Sequence, residues 1–127
     1  MRAIQITATL CMAAGIACGA FGAHALRDIV PQRELLIWEK GVFYQLIHAL
    51  AALLITSATG LQISDRARRA IGWLFLGSLA IFSGTLYALV LSGMHWLGAI
   101  TPVGGAGFIL GWLLLAYQLV KQRCSSH

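Results

Sequence analysis

Charge divides this chain into long silent stretches. Its 9 lysines and arginines and 4 aspartates and glutamates fall in four short patches: Arg2, Arg27 to Lys40, Asp65 to Arg69, and Lys121 to Arg123. Between the patches run three uncharged windows, Ala3–Leu26, Gly41–Ser64 and Ala70–Val120, of 24, 24 and 51 residues. A helix crosses the hydrocarbon core of a bilayer in about 20 residues. The first two windows therefore hold one span each, and the third holds two, broken at Ser92-Gly93 and again at Thr101-Pro102. The pattern predicts an all-α fold, an antiparallel four-helix transmembrane bundle. Its spans cover about 4–23, 42–59, 71–91 and 102–120 of a single integral membrane domain, residues 1–127. Within Arg27 to Lys40 polar and apolar residues alternate, and Leu35, Trp38 and Val42 recur at helical spacing. This reads as an amphipathic interfacial segment that runs on into the second span, with Trp38 and Tyr44 at headgroup depth.

Small residues recur inside the spans. The first carries Thr7, Cys11, Gly15, Gly19 and Ala23 four apart, with Ala14, Cys18 and Gly22 as a second row. The third carries Ala80, Gly84, Ala88 and Ser92, and the fourth Gly107 and Gly111. In lipid, apolar burial gives helices no reason to associate, so close backbone approach, dispersion and weak polar contacts hold them together. Gly15, Gly19, Gly22, Gly84, Gly107 and Gly111 are thus expected at helix contacts, with the ridge of the third span as partner of the first. No strand precedes the glycines of the first span, which removes a dinucleotide cradle. Thr101 and Pro102 have the residue types of a helix cap and a first helical position.

Composition sharpens the class. The chain is 59% hydrophobic and 10% charged with a mean hydropathy of +0.81, against about 25% charged residues in soluble domains. A water-soluble fold is excluded on those grounds, and the lipid bilayer is the first partner implied. The net charge of +5 does not point to nucleic acid, because the cations flank spans and form no continuous face. Arg2, Arg66, Arg68, Arg69, Lys121 and Arg123 share one side, whereas Arg27, Arg33 and Lys40 on the other are matched by Asp28, Glu34 and Glu39. The positive-inside bias then makes both termini cytoplasmic. The inner loop from Asp65 to Arg69 is expected to fix topology and touch anionic headgroups. The first apolar stretch is longer than a signal-peptide core of about 7–15 residues, so it reads as a retained span. Cys11 and Cys18 read as packing residues, Cys124 as a reduced thiol with no disulfide, and the Cys124–His127 spacing as a tail without a metal.

Candidate chemistry is sparse. Ionisable groups in a bilayer are costly, which singles out His48 in the second span. Tyr44, Gln45 and His48 share a helix face, and a neutral imidazole there can bond across to another helix, relay a proton or ligate a metal. His24, Glu39 and His95 fall on the same outer half. A haem or metal site built on these histidines is one alternative, weakened by the absence of metal-ligand spacings. A small-solute or proton-linked transporter acting as an oligomer is another. It would rely on His48 and Tyr44, since no span contains the customary carboxylate. No serine or cysteine has an evident base, and Ser83 reads as a packing residue. We therefore expect no enzyme activity, no catalytic or metal-binding residue and no cofactor.

Four blocks in order carry a family resemblance: Gly19-Ala20-Phe21-Gly22-Ala23-His24-Ala25-Leu26; Tyr44 with His48-Ala49-Leu50; Phe82-Ser83-Gly84-Thr85-Leu86-Tyr87; and Ile100-Thr101-Pro102-Val103-Gly104-Gly105 with Gly111-Trp112. They resemble the domain of unknown function 423 family, which includes small bacterial inner-membrane proteins and the animal transmembrane protein 256. Thr85 stands where that pattern has serine, keeping the hydroxyl. The resemblance implies a four-span protein of the bacterial inner (plasma) membrane, or of the mitochondrial inner membrane in eukaryotes, without an established activity. The role it leaves open is filled here by a structural, accessory or assembly component that associates with itself, as a homo-oligomer, or with a larger membrane complex.

Overall fold

The computed structural model describes residues 1–125, so His127 of the Cys124–His127 spacing lies outside the described residues. Four helices account for the architecture: α1 (Arg2–Phe21), α2 (Gln32–Ser57), α3 (Asp65–Ser92) and α4 (Thr101–Ser125). A single π-helical turn, Gly22–Leu26, extends α1, and a 3-10 turn, His95–Ala99, precedes α4. There is no strand among the described residues, and all four helices are long and apolar enough to cross a membrane. The fold is the four-helix bundle that the charge pattern predicts, and the protein is a multi-pass membrane protein.

Helices α3 and α4 overrun the expected spans at both ends and α2 at its start, where charged residues continue the helix, whereas α2 stops at Ser57, two residues short of the expected end. The amphipathic segment is the first two turns of α2 itself, which begins at Gln32 and buries Leu35 and Trp38. Pro31 sits just before its first turn with extended backbone. Ser64 caps α3 by accepting from the Ala67 amide at 3.2 Å. The break at Ser92-Gly93 follows from backbone chemistry. Gly93 takes φ +71°, the left-handed conformation that closes helices at low cost only for glycine, and its N–H donates to Leu89 O at 2.9 Å. Thr101 differs from the expected cap, because its hydroxyl pairs with that of Thr85 at 2.7 Å and ties α4 to α3.

The helices stack in chain order, α1 on α2, α2 on α3 and α3 on α4. One core cluster, around Ile4, Ala52, Ile71, Phe75 and Phe108, joins all four helices. A second, Leu26, Leu35, Trp38, Leu89 and Val90, closes the end where α2 begins. Bulky apolar side chains cover the outside, among them Leu10, Ile16, Leu50, Leu54, Ile109 and Leu113. Such a surface is stable against lipid tails and unstable against water.

Glycines set the two outer seams. A Cβ on Gly15 would lie 2.7 Å from Leu46, one on Gly19 3.3 Å from Val42, and one on Gly22 2.6 Å from Trp38. The ridge of α1 therefore packs on α2 and not on the ridge of α3. On α4, a Cβ at Gly107 or Gly111 would overlap Ser78 or Phe75 of α3. Gly84 departs from the expectation. It faces outward with Ala80 and Ala88, and a Cβ there would meet nothing within 4 Å. The reason is rotational: α3 spends its inner arc on α2 and α4 through Phe75, Leu79, Ser83 and Leu86, and the small row lies outside that arc.

Arg68 is the second departure. It is not offered to headgroups, because its side chain is 8% exposed and turns inward. Nη1 donates to Ile55 O at 2.8 Å and Ala58 O at 2.6 Å, Nε to Ile63 O at 3.3 Å, and Nη2 to Leu61 O. The guanidinium thus satisfies carbonyls at the end of α2 and along the α2–α3 turn, where the helix leaves its last acceptors unpaired and its dipole is negative. Arg68→Ala strands these carbonyls. It is expected to lower unfolding stability in mild detergent by at least about 1.5–3 kcal/mol, the scale of a single charge-assisted hydrogen bond. Arg68→Lys, which keeps charge but not the fork, should recover only part of that loss.

Candidate functional site

His48 lies on the side of α2 that faces α4. α2 and α4 do not pack backbone to backbone; they meet through side chains reaching across a crevice of about 510 Å³ lined by Tyr44, His48, Phe82, Phe108, Ile109 and Trp112. His48 is 4% exposed and lies against the Phe108 ring, with centroids 3.6 Å apart and planes 14° from parallel. Phe75 closes one side edge-on at 5.3 Å. Nδ1 is 2.9 Å from Tyr44 O, one turn back along α2, and Nε2 is 3.0 Å from the indole Nε1 of Trp112. A carbonyl only accepts and an indole N–H only donates. Those partners assign the imidazole: neutral, with its proton on Nδ1 and its Nε2 lone pair occupied by Trp112. In this state His48 has no lone pair left for a metal and no second proton to pass on.

The expected cluster of Tyr44, Gln45 and His48 is split. Tyr44 and His48, four residues apart, stay together on the crevice, but Gln45 is rotated by about 100° from Tyr44 on a helix and turns to the other side of α2. There its Nε2 donates to Cys11 O of α1 at 2.8 Å and its Oε1 accepts from the Tyr87 hydroxyl of α3 at 2.7 Å. Seven residues earlier on α2, about two turns, the Trp38 indole donates to Cys18 O at 2.8 Å. The two rungs repeat every seven residues on both helices, and each has a glycine four residues beyond its acceptor: Gly15 after Cys11, Gly22 after Cys18. Helical side chains at i+4 lie over the carbonyl of residue i. Removing the Cβ at those two positions uncovers the carbonyl to a donor from α2. Ser83 adds a bond to Gly41 O at 2.6 Å, across from α3 to α2.

The outer polar residues do not form one site. His24, Glu39 and His95 are all exposed. His95 Nε2 is 3.6 Å from Oε1 of Glu34, not Glu39, so the contact joins the α3–α4 connection to the start of α2. No group of three His, Cys, Asp or Glu side chains that could hold a metal ion occurs among the described residues. Cys11, Cys18 and Cys124 are free thiols. Sequence reasoning missed the roles of Trp38, Tyr87 and Trp112 as donors. Their spacing fits any interfacial aromatic, and only the partner helix reveals what each indole or phenol reaches.

A family model described as a protein of unknown function, DUF423, matches residues 18–105. The UPF0382 membrane protein of Staphylococcus aureus strain USA300 is 42% identical over 121 residues, covering 95% of this chain and 98% of the relative. That of Staphylococcus epidermidis strain ATCC 12228 is 39% identical over 124 residues, covering 95% and 98%. The UPF0382 membrane protein YwdK of Bacillus subtilis strain 168 is 36% identical over 106 residues, covering 84% and 86%. No solved structure matches the chain.

The Trp112–His48 bond is open to direct measurement. A cycle of His48→Leu, Trp112→Phe and the double variant, followed by unfolding in detergent, should return a coupling of about 0.6–1.7 kcal/mol, the range of hydrogen bonds inside membrane bundles. Additive losses would mean that the two rings merely share space.

Proposed function

The chain belongs to the DUF423 family, and on that premise we propose that it acts as a non-enzymatic structural, accessory or assembly component, associating with copies of itself or with a larger membrane complex. The observation that supports this reading is the free side of α3. Gly77 and Gly84, seven residues apart, are exposed together with Ala80 and Ala88, and a Cβ at either glycine would meet nothing within 4 Å. In α1 and α4 such rows are used inside the bundle; the row on α3 is left facing lipid, with the shape that lets another helix approach closely. The geometry of His48 favours the same reading over proton-linked transport or haem binding, since both ring nitrogens already serve the bundle.

We place the protein in a bacterial plasma membrane with both termini cytoplasmic. Its relatives are bacterial membrane proteins, and Arg2, Arg66, Arg69, Lys121 and Arg123 remain on one side even after Arg68 is assigned to the interior.

Two glycines separate association from folding. Gly84→Leu is expected to leave the melting temperature of the detergent-purified protein unchanged while abolishing cross-linked dimers or co-purifying partners from native membranes. Gly15→Leu, pressed against Leu46, should lower the melting temperature. Undiminished association in Gly84→Leu contradicts the assignment of α3 as the contact surface.

A further inference from the structure

The α2–α4 crevice has a polar entrance, a length and a lining that together define a ligand. Tyr44 lies four residues beyond Lys40, the last charged residue of α2, about 6 Å deeper along the helix. Counted from that charge, Tyr44 falls near the boundary between headgroup and hydrocarbon. Every buried side-chain polar atom among the described residues has a partner, but the Tyr44 hydroxyl carries no hydrogen bond to any described residue, which makes it an accessible donor at the crevice. In a layer without bulk water such a donor needs an acceptor. Below it the demand for polarity ends, since both His48 nitrogens are taken. A second hollow of about 330 Å³, lined by Ile47, Leu50, Leu54 and Ile55, borders the crevice at Trp112, which lines both. From Tyr44 to Leu54 is ten residues, about 15 Å along the helix, or half of the roughly 30 Å hydrocarbon core.

We propose that this crevice binds one acyl chain of a glycerolipid from the adjoining leaflet, with the ester carbonyl accepting the Tyr44 hydroxyl proton in a hydrogen bond and the chain lying along Phe108 and Trp112 to Leu54. The length decides the occupant. A helix from a second copy would run through both leaflets and need a groove of twice this depth, whereas one acyl chain ends where its leaflet ends. The rims, Ile47, Leu50, Leu54 and Ile109, are bulky and exposed, unlike the small residues that helix–helix contacts use.

The test is native mass spectrometry of the full chain, delipidated in mild detergent and titrated with diester phosphatidylglycerol or with its diether analogue, which has the same chains and headgroup but no carbonyl. Wild type is expected to take up one diester lipid saturably. Binding of the diether lipid, and of the diester lipid to Tyr44→Phe, should be weaker by about 3- to 10-fold, the scale of one hydrogen bond. Gly105→Leu fills the crevice at little cost to packing, because a Cβ there meets only Phe82, at 3.9 Å. It should abolish the stoichiometric adduct with no fall in melting temperature, and Ala106→Leu, on the same wall, should act alike. Equal, unsaturating adducts of both lipids in wild type and Tyr44→Phe overturn the proposal. So does a protein dimer that displaces lipid in wild type and is lost in Gly105→Leu, because the crevice would then belong to a second copy.

Discussion

Hydrocarbon supplies no hydrogen bonds, and every polar group placed in it must find a partner on the protein. The bundle meets this constraint at the α1–α2 seam. There the carbonyls of Cys11 and Cys18, already part of the α1 ladder, take a second donor from Gln45 and Trp38. An ordinary residue four positions on would cover each carbonyl with its side chain. Glycine at 15 and 22 does two things at once: it lets α2 approach and leaves the acceptor open. Close packing and hydrogen bonding, often treated as separate sources of membrane-protein stability, are one geometric event at these rungs.

The same economy passes through the rest of the molecule. Tyr87 of α3 completes the amide of Gln45, Ser83 reaches Gly41, Thr85 meets Thr101, and Trp112 reaches His48. Successive helices are thus linked by at least one side-chain bond across each seam, and Arg68 performs the corresponding task for the α2–α3 turn. A charged residue ends up buried at the edge of the membrane because four carbonyls need a planar donor with several N–H groups.

Much of this was legible in the sequence, and the boundary of legibility is physical. Charge silence longer than a bilayer is thick leaves one solution for the backbone, so the number and class of helices follow from Arg27–Lys40, Asp65–Arg69 and the Ser92-Gly93 break. Glycine spacing draws attention to Gly15, Gly22, Gly107 and Gly111, where a Cβ would lie under 3.0 Å from a side chain of the neighbouring helix. Which helix approaches is a matter of rotation about the helix axis, and a row of small residues reads the same inward or outward; Gly84 shows the difference. Arg68 sits between two other arginines and carries no local sign of its fate. His48 was visible as an expensive residue, but its neutral, fully engaged state depends on Trp112, 64 positions away.

The central claim is that glycine acts at these seams by uncovering a carbonyl for a donor from the facing helix. A double-mutant cycle between Gly22→Ala and Trp38→Phe, read by reversible unfolding in detergent, addresses it most directly. If the account is right, most of the destabilisation caused by Gly22→Ala disappears once the Trp38 donor has been removed. Full, additive losses from the two substitutions would contradict it.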